Sequence, residues 1–175
     1  MKQSISLWQW MGFAVTSFLG TILHFLYEWT GESLWSALIS GVNESTWEHM
    51  KLLYFPMLIY ALIQCRFFPD RKVFWCVKLV GVAVGLLLIP MLFYTINGSF
   101  GKSPDWINIA IFFVAAAVAY LVETYLYNNA LLKCPHPRLA FFVIVLIGIL
   151  FVVFTFITPQ IPLFRDPITG TYGIQ

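Results

Sequence analysis

Asn43-Glu44-Ser45-Thr46-Trp47-Glu48-His49-Met50-Lys51 is the densest polar stretch of a chain that is otherwise overwhelmingly apolar, and it stands where a membrane-spanning helix should begin. Two carboxylates, an imidazole and an amine are expensive to place in or beside a bilayer, so a functional reason is the first reading for them. The apolar run that follows, Leu52 to Ile63, is short for a crossing that needs roughly 20 residues of helix. The polar turns before it must therefore lie at or below headgroup level. Asn43 or Ser45 can cap this helix, and Glu44 and Glu48 suit its positive N-terminal end. Capping and dipole compensation account for one or two of these residues and leave His49 unexplained.

Composition sets the class. Of 175 residues 60% are hydrophobic and 10% charged, and the mean hydropathy of +0.82 lies well outside the range of soluble domains. The expected fold is an all-α integral membrane protein, one membrane domain over residues 1–175. Five transmembrane helices are expected, at about 5–29, 44–65, 73–97, 106–132 and 139–158, with 159–175 an extracytoplasmic tail. Seventeen Phe, seven Trp and eight Tyr suit lipid-facing packing and interfacial belts. The first run is too long for a signal-peptide core and is read as a span. Pro69 with Asp70, Gly98 to Pro104, and Pro135 with Pro137 supply the breakers between spans. A net charge of +2, scattered along the chain, excludes a nucleic-acid partner and leaves the lipid bilayer as the partner that composition implies.

Short-loop charges give the orientation. Lys2, Arg66, Arg71, Lys72, Lys133 and Arg138 fall on the side of the N-terminus, against Lys102 and Arg165 on the other, which predicts a cell-membrane protein with a cytoplasmic N-terminus and an extracytoplasmic C-terminus. Cys65, Cys76 and Cys134 then lie near the cytoplasmic ends, where thiols stay reduced, and without a metal spacing they read as inert small residues.

Between the first two spans, Leu34, Trp35, Leu38, Ile39 and Val42 recur at helical spacing, which predicts a short helix within Thr30 to Val42, interfacial or re-entrant. Its other face, with Ser33, Ser36, Ala37, Ser40 and Gly41, is small and uncharged. A helix lying on lipid more often carries Lys or Arg there, so this face suits close packing against neighbours.

The chemistry concentrates at one depth. His24 and Glu28 are stacked on one face of the first span, near its outer end, and Glu44, Glu48 and Lys51 form a stripe on the second, with His49 turned away by about 100°. A short connector makes the two spans neighbours, so the stripes can converge. With neutral histidines, Glu28, Glu44, Glu48 and Lys51 sum to two negative charges, which in a poor solvent must bind a cation, take up protons or meet water. His24, Glu28 and one of His49, Glu44 or Glu48 are the candidate ligands of a divalent metal such as zinc, with His49 put first for the third place, Glu48 and Glu44 as candidate catalytic carboxylates, and Asn43, Ser45 and Lys51 as further pocket residues. Protonated or Lys-paired carboxylates lining a wet pocket are the alternative.

Elsewhere, Lys78 and Glu123 lie at depths close enough to form a buried ion pair. Pro56 and Pro90 remove backbone bonds inside their helices, and Gly81 with Gly85 forms a small face for close packing. The tail from Pro159 reads as an ordered flap over the outer mouth, with Arg165 and Asp166 within reach of the polar cluster.

The segments His24-Phe25-Leu26-Tyr27-Glu28-Trp29, Val42 to Lys51 with its Asn-Glu-Ser-x-Trp-Glu-His core, and the Asp-Pro-x-Thr-Gly-x-Tyr-Gly tail from Asp166 to Gly173 resemble a family of small bacterial multi-pass membrane proteins of unknown function. That resemblance implies a bacterial membrane location and a fold, and it adds no chemistry. A looser likeness is to membrane hydrolases related to alkaline ceramidases, whose three-histidine pattern is not complete here.

Three functions stay open on these residues. A metal-assisted hydrolase or transferase on a lipid-linked substrate predicts a bound metal and a lipid-sized opening. An ion, proton or small-solute carrier predicts a polar path that continues toward Lys78 and Glu123. A structural or partner-binding subunit, homo-oligomeric or otherwise, predicts a dry, internally paired cluster.

Overall fold

A computed structural model describes residues 2–68, 71–101 and 103–174. Pro69 and Asp70, an expected breaker, and Lys102, one of the loop charges, lie outside the described residues. The described chain is all-helical: α1 (Lys2–Trp29), α2 (Leu34–Ala37), α3 (Thr46–Phe67), α4 (Arg71–Phe100), α5 (Asp105–Asn128), α6 (Pro137–Phe156), and a 3₁₀ turn at Pro162–Phe164. All but α2 and the 3₁₀ turn are long and apolar enough to cross a membrane. α4 runs beyond the expected bounds at both ends, and α5 stops at Asn128, where Asn129 and Ala130 leave helical geometry.

α3 is the hub. It packs against α1, α4, α5 and α6, and its buried residues, among them Leu52, Leu53, Tyr54, Met57, Tyr60 and Gln64, go all round its circumference. A helix apolar on every side is one that is enclosed by others. α6 is the opposite case. Its exposed Leu139, Phe142, Leu146, Ile149 and Val153 recur at helical spacing and form an outward stripe, suited to lipid. Both α3 and α4 run through their internal prolines, Pro56 and Pro90.

Association of helices in lipid gains little from the hydrophobic effect and depends on close packing. Gly81 and Gly85 serve that purpose on α4. A Cβ on Gly85 would stand 2.7 Å from Leu53 Cδ2 and 3.3 Å from Ala119 Cβ, and one on Gly81 would run into the Glu123 side chain. The small residues thus let α4 approach α3 and α5 together.

α1 ends in a Schellman arrangement: Glu32 N–H donates to Tyr27 O, Gly31 N–H donates to Glu28 O, and Gly31 takes the left-handed φ of 65° that this stop requires. The helix expected within Thr30 to Val42 shrinks to the four residues of α2. Its small face, Ser36, Ala37 and Ser40, is buried, whereas Leu34 and Trp35 point outward, Trp35 at 82% exposure. Serine side chains explain the brevity. Ser36 donates to Ser33 O and Ser40 to Ser36 O, local bonds that compete with a helical ladder.

The cysteine expectation is corrected. Cys76, in α4, and Cys134, in the connector after α5, are joined by a disulfide across 58 residues, and Cys65 alone is free. The topology brings the start of α4 to the same end of the bundle as the α5–α6 connector, with Cα atoms 5.9 Å apart, a proximity that no local spacing reveals.

Candidate metal centre

The start of α3 sorts the polar motif into two groups. Ser45 is the N-cap, its hydroxyl accepting from Glu48 N–H at 3.4 Å, so Glu44 lies outside the helix and the expected Glu44–Glu48–Lys51 stripe does not form. In a capping box the glutamate would turn back to the cap residue's N–H. Here Asn43 Oδ1 accepts that N–H at 2.9 Å, which releases the Glu48 carboxylate to turn inward.

Inside, Glu48 Oε2 lies 2.6 Å from Lys51 Nζ and accepts from Val42 N–H at 3.1 Å, while Oε1 meets the Thr155 hydroxyl at 3.2 Å. Lys51 spends its other donors on Ala37 O and Thr155 Oγ1, each at 2.9 Å. All three ammonium N–H groups are therefore used, on α2, α3 and α6, and the pair is almost entirely dry. The geometry does not bring Glu48 or Lys51 to the histidines. It makes them a clamp.

On the other side of the motif, His49 Nδ1 lies 3.0 Å from Ser45 O. A carbonyl can only accept, so Nδ1 carries the proton and Nε2 is free to bind a proton or a metal. Nε2 stands 3.5 Å from Glu44 Oε2, and Glu44 Oε1 stands 3.7 Å from His24 Nε2. The ligand atoms of His24, Glu44 and His49 all lie within 4.8 Å of one another. Around a tetrahedral zinc with bonds of about 2.0–2.1 Å, ligand atoms are about 3.4 Å apart; the two imidazoles here flank different oxygens of one carboxylate, within 4.8 Å of one another, so small side-chain movements would bring them to that spacing. The side chains are 32%, 41% and 20% exposed, so a fourth ligand can reach them.

The tail positions Glu44. Asp166, buried in its own turn, accepts Ile168 N–H at 2.7 Å and Thr169 N–H at 3.2 Å on one oxygen and Glu44 N–H at 3.4 Å on the other. Asn43 Nδ2 donates to Gly173 O at 3.0 Å, and the Phe164 ring packs 4.6 Å from Trp47. A Cβ at Gly173 would approach Thr158 Oγ1 to 2.6 Å, and its φ of 70° also demands glycine. Arg165 stays in its own turn, donating to Gly170 O.

His24 and His49 open on a cleft of about 260 Å³ between α1, α3 and α5, walled by Gly20, Phe25, Leu52, Phe112 and Phe113, with Asn108 as a further polar group. Gly20 lets α3 and α5 close in beside this cleft, since a Cβ there would press on Phe112 and on Leu52 O. Glu28 is exposed one turn beyond His24 and does not join the donor set.

At the opposite end of the bundle Lys78 Nζ lies 2.5 Å from Glu123 Oε2, both fully enclosed, with the ammonium over the Tyr120 ring at 4.9 Å. Along α3, Leu53 and Met57 are completely buried between the two regions. Motif and spacing do not point to Thr155, Asn108 or Gln9. Of these Thr155 carries a signal, being the only polar side chain in α6 after Arg138.

No curated protein and no solved structure matches the chain. Residues 1–174 match the model of the family of unknown function DUF6512, and the chain belongs to that family.

Proposed function

We propose that this member of the DUF6512 family is a multi-pass membrane protein in which His24, Glu44 and His49 hold a divalent metal ion, zinc by donor type, to act on the polar head of a lipid-linked substrate. The observation that carries the reading is the convergence of two imidazoles and one carboxylate, one imidazole already oriented by a backbone carbonyl, at the head of an apolar cleft. Two histidines and a carboxylate with an open position are the donor set of hydrolytic zinc sites. A metal held there would supply a bound water of pKa about 7 and a Lewis acid for an ester or phosphoester oxygen. The chain supplies the rest: the apolar walls take an acyl chain, Asn108 hydrogen-bonds the head group, and Glu28 accepts a proton at the exposed rim. Hydrolysis or group transfer follows from the same geometry. The basic loops favour a cytoplasmic N-terminus with the site facing outward, whereas the Cys76–Cys134 disulfide at the basic-loop end favours the reverse orientation.

The test is metal analysis of protein purified in detergent without chelator, followed by zinc titration. About one equivalent of bound metal is expected, lost in His49→Ala and Glu44→Gln. Absence of metal together with no binding on titration would overturn the proposal. Turnover is then measured on ester- and phosphoester-linked lipids, with Glu28→Gln expected to keep the metal and lose activity.

A further inference from the structure

The end of the bundle that holds Lys78 and Glu123 contains a second set of polar groups that the metal reading does not use. Gln9 on α1 is 2% exposed, and its amide oxygen has no hydrogen-bond donor. Its side chain lies beside the Glu123 carboxylate, whose Oε2 takes Lys78. A carboxylate only accepts, so the amide turns its NH₂ toward Glu123 and leaves Oε1 as an acceptor. Gln9 also lines a cleft of about 110 Å³ between α1 and α5, together with Ser6, Phe13, Ala117 and Tyr120. The outer edges of this cleft, Trp10 and Leu121, are more than half exposed, so it opens sideways from the bundle.

Depth identifies what reaches such an opening. The span begins at Ser4 and has 26 residues, a length of about 39 Å against a hydrocarbon core of about 30 Å. Gln9 is about 8 Å along from Ser4, hence a few ångströms inside the hydrocarbon edge, level with the glycerol region of a lipid. A buried amide oxygen without a donor is costly there. We propose that the α1–α5 cleft binds a membrane lipid with a free hydroxyl at glycerol level, which donates to Gln9 Oε1 while its acyl chains remain in the bilayer. The site shares with the metal reading only the membrane setting, and it uses none of the same residues.

Native mass spectrometry of the full chain in detergent, after incubation with dioleoylglycerol or its 3-O-methyl ether, tests this. The wild type is expected to retain the free alcohol about fivefold better than the ether, the scale of one hydrogen bond. Gln9→Leu should remove that preference. Ala117→Phe, which fills the cleft and leaves Gln9 and the ion pair in place, should abolish retention of both lipids. Equal retention of alcohol and ether by the wild type, a preference surviving in Gln9→Leu, or undiminished binding by Ala117→Phe would each overturn the proposal. Metal content measured on the same samples should not change, which separates this site from the outer one.

Discussion

Lys51 and His49, two residues apart on α3, leave it in different directions, and the two carboxylates they meet, Glu48 and Glu44, stand four residues apart. On the Lys51 side every donor of the ammonium has an acceptor and the pair is closed to water. On the His49 side a ring nitrogen and a carboxylate face each other at 3.5 Å, partly exposed, with room for a proton or a metal between them. Charge alone does not separate a clamp from a site. Saturation and access do.

The strongest way to break this comparison is to remove one member of the saturated pair. Lys51→Met leaves Glu48 buried without its cation and should cost about 3–5 kcal/mol in a denaturant titration. Adding Glu48→Gln to it should recover a large part of that loss; if the single variant unfolds like the wild type, Lys51 is no clamp. The open side should respond oppositely. His49→Ala is expected to weaken zinc binding more than about a hundredfold, beyond the 10–100-fold typical of outer-shell partners, with the unfolding midpoint of the metal-free protein nearly unchanged. A drop in that midpoint comparable to that of Lys51→Met would make His49 structural.

Asp166→Ala tests the tail as the outer support of Glu44. About a tenfold loss of zinc affinity in chelator competition is expected, and unchanged affinity would reduce the tail to a cover. The smallest effect concerns the far end. Alkylation of unreduced protein should label one cysteine, Cys65, and labelling after reduction should reach all three. The same labelling in intact cells sharpens the topology, because a persistent Cys76–Cys134 bond would place the basic-loop end in an oxidising compartment and reverse the orientation argued from charge.

Much of the site is legible in the amino-acid order. His24 and His49 stand out as candidate metal ligands because polar groups gathered on one stretch of an apolar chain are costly to keep there without a use. The third member is legible only as one of several choices, Glu44, Glu48 and His49 being open for that place. The helical period applied to Glu44 puts it in register with Glu48, but Ser45 caps the helix and Glu44, one residue outside, escapes that period. Glu28 fails for the converse reason: it keeps the helical period with His24 and stays exposed, while Glu44 occupies the place beside the ring.

Amino-acid order by itself determined the helical class and the approximate bounds of the five long apolar helices, since these follow from hydrophobic run length and from punctuation by proline and glycine. Tertiary structure alone decided which partners those groups meet. The Thr155 hydroxyl that joins Glu48 to α6, the Asp166 turn that holds Glu44, and the Cys76–Cys134 bond all join residues far apart in sequence. Periodicity reports the face of one helix. Only packing determines what stands opposite it.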